Sequence, residues 1–412
     1  TKIDWWHAMG GELGQKVEEI ADGFNKSQSD YQVVPMYKGN YTETMTAAIA
    51  AFRAGEQPDI VQVFEVGTAS MMAAKGAIYP VHQLMTDTNT PFDQSIYLPA
   101  VISYYTTPDN KLLSLPFNSS TPVLWYNADA FKKAGIASAP TTWDGMMDAS
   151  KKLVASGMKC GFSFGWQSWV MIENFSTWHN LEIGTKENGF TGLDTKFTFN
   201  NDAVAGTLQS IADSQKDKLF RYGGRRGESL PSFTNGECGM WMNSSAYYGS
   251  IKKQAKFTYA QSMLPVNTDV AKKAQNSIIG GATLWVLSGK PKGSYKGVAE
   301  FFNHMSSDAV QAMWHQETGY VPITTAAYEL SKKQGFYEKN PGTDTAIKQL
   351  SLNTPTPNSK GLRFGSFVQT RDIINEEMEA LWADKKNAKQ ALDDAARRGD
   401  VLLRKFEKAN AR

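Results

Sequence analysis

The strongest constraint on the fold is an alternation of hydrophobic period near the start of the chain. Residues 3–9 are short and β-rich, and they run into a helical pattern in which Leu13, Val17, Ile20, Ala21 and Phe24 fall at spacings of four, three, one and three. A second strand follows at 31–37, with Pro35 placing it at an edge or a bulge. Met45, Ala48, Ile49 and Phe52 then mark a second amphipathic helix that ends at Gly55, and residues 59–66 read as a third strand. Strands alternating with helices through short glycine-containing loops predict an α/β lobe with a mostly parallel sheet, whose ligands sit beyond the carboxyl ends of the strands. The 412 residues exceed the roughly 250 to 300 at which one hydrophobic core stops growing, so two or three lobes are expected.

A new cycle begins after the turn Pro108-Asp109-Asn110, with strands at 112–117 and 123–126 and helices from Asp129 and over 143–155. An aromatic segment covers 160–169. Further strands are expected at 239–242, 259–264 and 283–287, and helices at 295–306, 372–382 and 388–408, the last with a stripe of Leu392, Ala395, Leu402, Leu403 and Phe406. No internal repeat or low-complexity tract interrupts the chain. The proline-rich stretch 353–358 reads as an ordered surface loop.

Several function classes are excluded early. Lys plus Arg number 43 against 41 Asp plus Glu, a net charge of +2 with no long basic run, which does not suit a nucleic acid partner. The longest apolar runs, 47–52 and 283–287, fall far short of the roughly 18 residues a membrane helix needs. None of the five histidines lies three or four residues from another, and there is no G-x-S-x-G elbow, no G-x-G-x-x-G after a strand and no phosphate-binding loop. No metal, cofactor or catalytic group is therefore expected. The two cysteines, Cys160 and Cys238, are too few for a disulfide scaffold and too far apart in sequence for a zinc site; one bridge or none is open. A chain that begins on a strand without Met suggests a mature form whose signal peptide has been cleaved.

What remains is a set of aromatic and small polar residues in loops at strand ends. Tyr41 follows Lys38-Gly39-Asn40, and Glu65 closes the third strand. Ser119-Ser120-Thr121 follows Pro116-Phe117, while Trp166 and Trp169 flank Gln167-Ser168. Asn243-Ser244-Ser245 ends a strand, Gly280-Gly281 precedes one, and Gly319-Tyr320 precedes Val321-Pro322. Their shared position argues for one cleft that holds a small polar ligand. Serine hydroxyls and glycine N–H groups donate to anionic oxygens, and Arg371 lies where the helix expected at 372–382 begins, so that guanidinium and helix N-terminus meet on one anion. A carboxylate such as Glu65 accepts from ligand hydroxyls, and Trp faces cover a C–H edge or a quaternary ammonium. Eleven Trp in one chain fit such a lining.

At these same residues the chain resembles the UgpB family, the periplasmic glycerol 3-phosphate-binding proteins of ABC importers. The similar stretches include Trp6-His7 with Gly11-Glu12-Leu13-Gly14, Tyr37-Lys38-Gly39-Asn40-Tyr41, Gln62-Val63-Phe64-Glu65-Val66-Gly67-Thr68 and Pro116-Phe117-Asn118-Ser119-Ser120-Thr121-Pro122. They continue through Gly165-Trp166-Gln167-Ser168-Trp169, Ile278-Ile279-Gly280-Gly281-Ala282 and Thr318-Gly319-Tyr320-Val321-Pro322 to Gly335-Phe336-Tyr337-Glu338-Lys339-Asn340-Pro341-Gly342, in order along nearly the whole chain.

The resemblance implies a two-lobed α/β binding protein of the maltose-binding type with a ligand cleft between the lobes. The N-terminal lobe is expected over 1–117 plus 265–318 and the C-terminal lobe over 118–264 plus 319–412, with crossings near 117–120, 263–265 and 319–322. It also implies that Tyr41 and Glu65 hold glycerol hydroxyls. The phosphate falls to Ser120 or Ser119, Ser244 or Ser245, Gly281, Tyr320 and Arg371, with Trp166 and Trp169 as walls. Two local departures, Tyr247-Tyr248 after Ser245 and Ser168 between the Trp pair, bear on the room left for a substituent on the phosphate. The implied protein is a periplasmic monomer with no cofactor and no catalysis, whose partners are glycerol 3-phosphate or a glycerophosphodiester and the permease and ATPase of an importer. A sugar or oligosaccharide receptor is the alternative among binding proteins, and an extracellular glycerophosphodiester phosphodiesterase is the alternative among enzymes.

Overall fold

The computed structural model describes residues 1–411, which divide into two compact units: Thr1–Ser119 with Gly280–Lys339, and Ser120–Ile279 with the described residues from Asn340 onward. In the first unit, strands Lys2–His7, Gln32–Tyr37 and Ile60–Phe64 pair in parallel, as their alternation with helices requires. Gln32–Tyr37 is the edge strand, where the missing N–H of Pro35 costs the sheet nothing. Ile60–Phe64 is buried at every residue, since neighbouring strands cover both its edges. The intervening helix Gly11–Ser27 turns Val17, Ile20, Ala21 and Phe24 inward. In helix Tyr41–Arg53 the buried face is Thr44, Met45 and Ala48; Ile49, expected on that face, is 42% exposed.

The sheets are mixed rather than mostly parallel. Gly280–Leu287 runs antiparallel to Ile60–Phe64. In the second unit, Cys160–Phe164 and Cys238–Ser244 are parallel, but Pro122–Asn127 is antiparallel to Cys238–Ser244 and Tyr259–Ser262 is antiparallel to Pro122–Asn127. Both Pro122–Asn127 and Gly280–Leu287 are the first strands after the chain enters a unit from the other. No crossover helix fixes their direction, which frees them to join against the others.

Two expected crossings are displaced. Residues 263–265 stay in the second unit because the Leu264 N–H donates to Gln349 Oε1 at 2.8 Å, and the chain is held there as far as Ile278, whose N–H donates to Asn174 Oδ1. Residues 319–322 stay in the first unit: Val321 N–H donates to Ser119 O, Leu98 N–H to Ile323 O, and helix Thr325–Lys333 packs on helix Asp308–Thr318. The units divide at 279/280 and 339/340 instead.

The helix expected at 372–382 begins earlier, spanning Phe367–Trp382, because Phe367 is fully buried against Phe197 and Phe364. Arg371 therefore lies in its second turn, and the expected meeting of guanidinium and helix N-terminus does not occur.

The aromatic surplus is mostly core. Trp5, Trp125, Trp241, Trp285 and Trp314 are among the largest fully buried side chains, and of the eleven Trp only Trp6 and Trp166 escape burial.

Cys160 and Cys238 are register partners on adjacent parallel strands, with Cα atoms 4.5 Å apart, and they form a disulfide. The bridge closes a sequence separation of 78 residues, so replacing both cysteines by alanine should cost about 2 to 4 kcal/mol of stability. A lowered urea midpoint checks this; two titratable thiols in the denatured, unreduced protein would contradict it.

Candidate functional site

The residues singled out in the sequence gather into two groups, one on each unit. On the first unit, Tyr41 opens a helix whose start is fixed by a capping box: Asn40 Oδ1 accepts from Glu43 N–H and Glu43 Oε1 accepts from Asn40 N–H. The Tyr41 ring stacks on Phe64 at 5.2 Å, and its hydroxyl accepts from Asn118 Nδ2 at 2.8 Å. Asn118 Oδ1 accepts in turn from Gln62 Nε2 at 2.8 Å, and Gln62 Oε1 from Ala8 N–H at 2.8 Å. This chain runs from the end of one buried strand to the next, and it engages one lone pair of the Tyr41 hydroxyl.

Tyr320 joins that group. Helix Asp308–Thr318 stops at Gly319, whose φ of 89° suits only glycine, and the turn brings the Tyr320 ring onto Trp314 at 5.4 Å with an interplanar angle of 2°. His315 Nδ1 bonds the Tyr320 carbonyl at 2.6 Å. Burial pushes both the Tyr41 and Tyr320 hydroxyls up, with neighbouring Glu65 adding to it, and they interact with each other and with Asn118. Both stay protonated at neutral pH.

Glu65 is buried just past strand Ile60–Phe64, and its Oε2 accepts from Gly281 N–H at 3.0 Å. Gly281 has φ 114°, and a Cβ there would strike the Asn118 carbonyl oxygen. Its N–H is engaged by Glu65, so Gly281 holds the carboxylate and belongs to the same unit as Tyr41 and Tyr320. Ser119 Oγ, also on this unit, is buried without a hydrogen-bond partner.

On the second unit, Ser244 Oγ donates to Ser120 Oγ at 2.7 Å and accepts from Ala246 N–H at 3.0 Å, while Trp125 Nε1 holds the Ser244 carbonyl at 3.2 Å. Ser245 Oγ is buried without a partner, as is Asn243 Nδ2. Trp166 takes an unusual φ of 46°, and its ring lies 5.9 Å from the guanidinium carbons of Arg371 and Arg226. Trp169 is 5% exposed and lies within the π-helical turn Ser168–Asn174, its Nε1 donating to Ile279 O at 3.5 Å.

Arg371 is buried and forked onto Glu173, with Nε to Oε2 at 2.9 Å and Nη2 to Oε1 at 2.6 Å. Tyr247 packs edge-on against Trp241 at 4.8 Å, and the Tyr248 hydroxyl donates to Asn340 Oδ1 at 3.1 Å, so these two departures from small residues serve packing inside the unit.

Sequence reasoning missed Asn118, Gln62 and Glu173. The first two read as ordinary strand residues. Glu173 carried a signal, as the one acid in the apolar and aromatic run from Trp169 to Trp178. Among the described residues no cluster of His, Cys, Asp and Glu could hold a metal ion, and no helix is long and apolar enough to cross a membrane. Two surface hollows of about 440 Å³ on the second unit, one beside Gln209 and Lys386 and the other beside Asn127 and Glu237, contain none of the residues above.

Two α/β units with mixed sheets and flanking helices make a fold of the maltose-binding-protein type, shared with solved solute-binding proteins. Residues 19–345 match the family of bacterial extracellular solute-binding proteins. The chain is 51% identical over 413 aligned residues to the sn-glycerol-3-phosphate-binding periplasmic protein UgpB of Yersinia pestis bv. Antiqua, covering 100% of this chain and 94% of that protein. It is 49% identical to the protein of the same name from Salmonella typhimurium, with the same coverage. Among solved structures, UgpB from Mycobacterium tuberculosis in complex with glycerophosphocholine is similar with a TM-score of 0.82 at 18% identity, covering 98% of this chain and 99% of that one. The acarbose-binding GacH receptor of Streptomyces glaucescens has a TM-score of 0.81 at 17% identity, covering 98% of each chain. The chain belongs to the bacterial extracellular solute-binding proteins and, within them, to the UgpB family.

Proposed function

We propose that this chain is a periplasmic solute-binding protein that captures sn-glycerol 3-phosphate or a glycerophosphodiester and delivers it, chemically unchanged, to the permease and ATPase of an ABC importer. The observation that carries this is identity of about half over the full length with relatives named for binding sn-glycerol 3-phosphate. The donor sets agree with it. Tyr41 and Glu65 suit glycerol hydroxyls, with Gly281 and Asn118 orienting them and Tyr320 beside them; Ser120, Ser244, Ser245 and Arg371, with Ser119 from the first unit, suit phosphate oxygens. Trp166 and Trp169 serve as apolar walls.

Capture works by hinge closure: a ligand bonded by groups of both units stabilises the closed form by its differential affinity for that form. A thermal-shift panel tests the function, since a ligand that binds only the folded form raises its melting temperature. sn-Glycerol 3-phosphate and glycerophosphocholine should each raise it and maltose should not; a shift with maltose alone would make this a sugar receptor. Trp169→Ala should weaken glycerophosphocholine at least as much as sn-glycerol 3-phosphate in calorimetry, because an aromatic face over a quaternary ammonium contributes roughly 0.5 to 2 kcal/mol. The opposite ranking would remove Trp169 from that role.

A further inference from the structure

Tyr320 lies outside any helix or strand, so its backbone must find partners elsewhere. Side chains supply them: its N–H donates to Thr318 Oγ1 at 3.1 Å, and its C=O is bonded by His315 Nδ1 at 2.6 Å. His315 is 3% exposed, and a carbonyl oxygen only accepts, so Nδ1 carries the proton. Nε2 of the neutral ring is then an acceptor, and the Tyr337 hydroxyl lies 2.7 Å from it. Tyr337 stands in the short helix Phe336–Lys339, in a stretch that none of the proposed ligand groups occupies. Its ring lies 5.7 Å from that of His315 and 5.5 Å from that of Tyr328, while Phe336 packs edge-on against His315 at 5.6 Å. Two hydrogen bonds thus run from Tyr337 through His315 to the Tyr320 carbonyl, all within the first unit.

A binding group serves only when held to within about 0.5 Å and 10 to 20° of its working position. The Tyr320 hydroxyl is at the far end of its ring from the backbone, so a small rotation of the peptide is enough to misplace it. We propose that His315 and Tyr337 are positioning residues of the ligand site, which hold the Tyr320 carbonyl and thereby fix where the Tyr320 hydroxyl is presented. This rests on the reading of Tyr320 as a ligand contact in the function proposed above.

The test is calorimetry with sn-glycerol 3-phosphate on Tyr337→Phe, His315→Asn and His315→Gln, each alone and combined with Tyr320→Phe. Tyr337→Phe keeps the ring packing and removes one hydroxyl, and it should weaken binding about threefold to tenfold. Asn carries an amide N–H near the place of Nδ1 and Gln one near the place of Nε2, so His315→Asn should keep more affinity than His315→Gln. Once Tyr320→Phe has removed the hydroxyl, the same changes should cost less than about twofold more, because residues that act through one group are not additive. Equal losses with and without the Tyr320 hydroxyl would make His315 and Tyr337 merely structural and overturn the proposal. So would the reverse ranking of the two histidine variants, a Tyr320→Phe that binds as tightly as wild type, or unchanged affinity in Tyr337→Phe, the variant that decides the matter if the histidine variants do not fold. Wild type that binds neither sn-glycerol 3-phosphate nor glycerophosphocholine would instead remove the functional reading itself.

Discussion

Arg371→Ala should lose phosphate ligands by at least tenfold and fold less stably by about 3 to 5 kcal/mol, because it removes one half of a buried pair and strands the Glu173 carboxylate. The two effects separate cleanly. The stability loss follows from the 2.6 and 2.9 Å fork between Arg371 and Glu173 alone. The affinity loss follows only if the guanidinium also reaches the ligand, where a hydrogen bond to a charged group contributes about 1.5 to 3 kcal/mol. Arg371→Lys sharpens the comparison: it keeps the charge but cannot reproduce the planar two-pronged contact, so it should recover part of the stability and little of the affinity. Calorimetry on the folded variants checks both, and unchanged affinity in Arg371→Ala would take this residue out of the site.

Gly281→Ala should be nearly as damaging, for a different reason. At φ 114° an L side chain is strained, and the new Cβ would strike the Asn118 carbonyl oxygen and lie 2.9 Å from its carbonyl carbon and 3.2 Å from Ser119 Cα. All of these are backbone atoms that cannot swing aside. Strain and overpacking together should cost about 2 to 5 kcal/mol. The displaced segment carries Asn118, which bonds the Tyr41 hydroxyl, and the Ser119 carbonyl, which holds Val321 beside Tyr320, so affinity should fall with stability. Gly55→Ala is the control: its φ of 73° is also strained, but no atom lies within 4 Å of the new Cβ, and about 1 kcal/mol with unchanged affinity is expected. A melting curve and a titration for each variant decide it. Equal losses in the two would show that the clash at Asn118 is relieved.

The parts of this fold that were legible in the sequence are those set by local chemistry. The helix Trp143–Ala155 begins and ends where its apolar period predicts, with Thr142 as its cap, and Pro35 sits on the sheet edge where a residue without an N–H is tolerated. Strand direction was not legible. Pro122–Asn127 and Gly280–Leu287 carry the same period-two pattern whichever way their neighbours run, and only the path of the chain between units decides it. Nor do residue types separate a lining aromatic from a core aromatic, which is why Trp5 and Trp314 look no different in the sequence from Trp166.

In the candidate sites, residues at glycine-marked turns stood out: Tyr41 after Gly39, Tyr320 after Gly319, Gly281 itself. Their supports, Asn118, Gln62 and Glu173, did not, because a buried polar side chain shows its importance only through the partner that satisfies it. Gln62 and Asn118 are 56 residues apart, and Glu173 and Arg371 are 198 apart.

The central claim is that the chain holds a glycerol phosphate as a bound solute. Calorimetric titration of the purified, ligand-free protein with sn-glycerol 3-phosphate, glycerophosphocholine and maltose, with choline assayed in the same cell, tests it most directly. One phosphate ligand per chain, no heat with maltose and no free choline is the predicted result. Binding of maltose without either phosphate ligand, or release of choline from glycerophosphocholine, would contradict it.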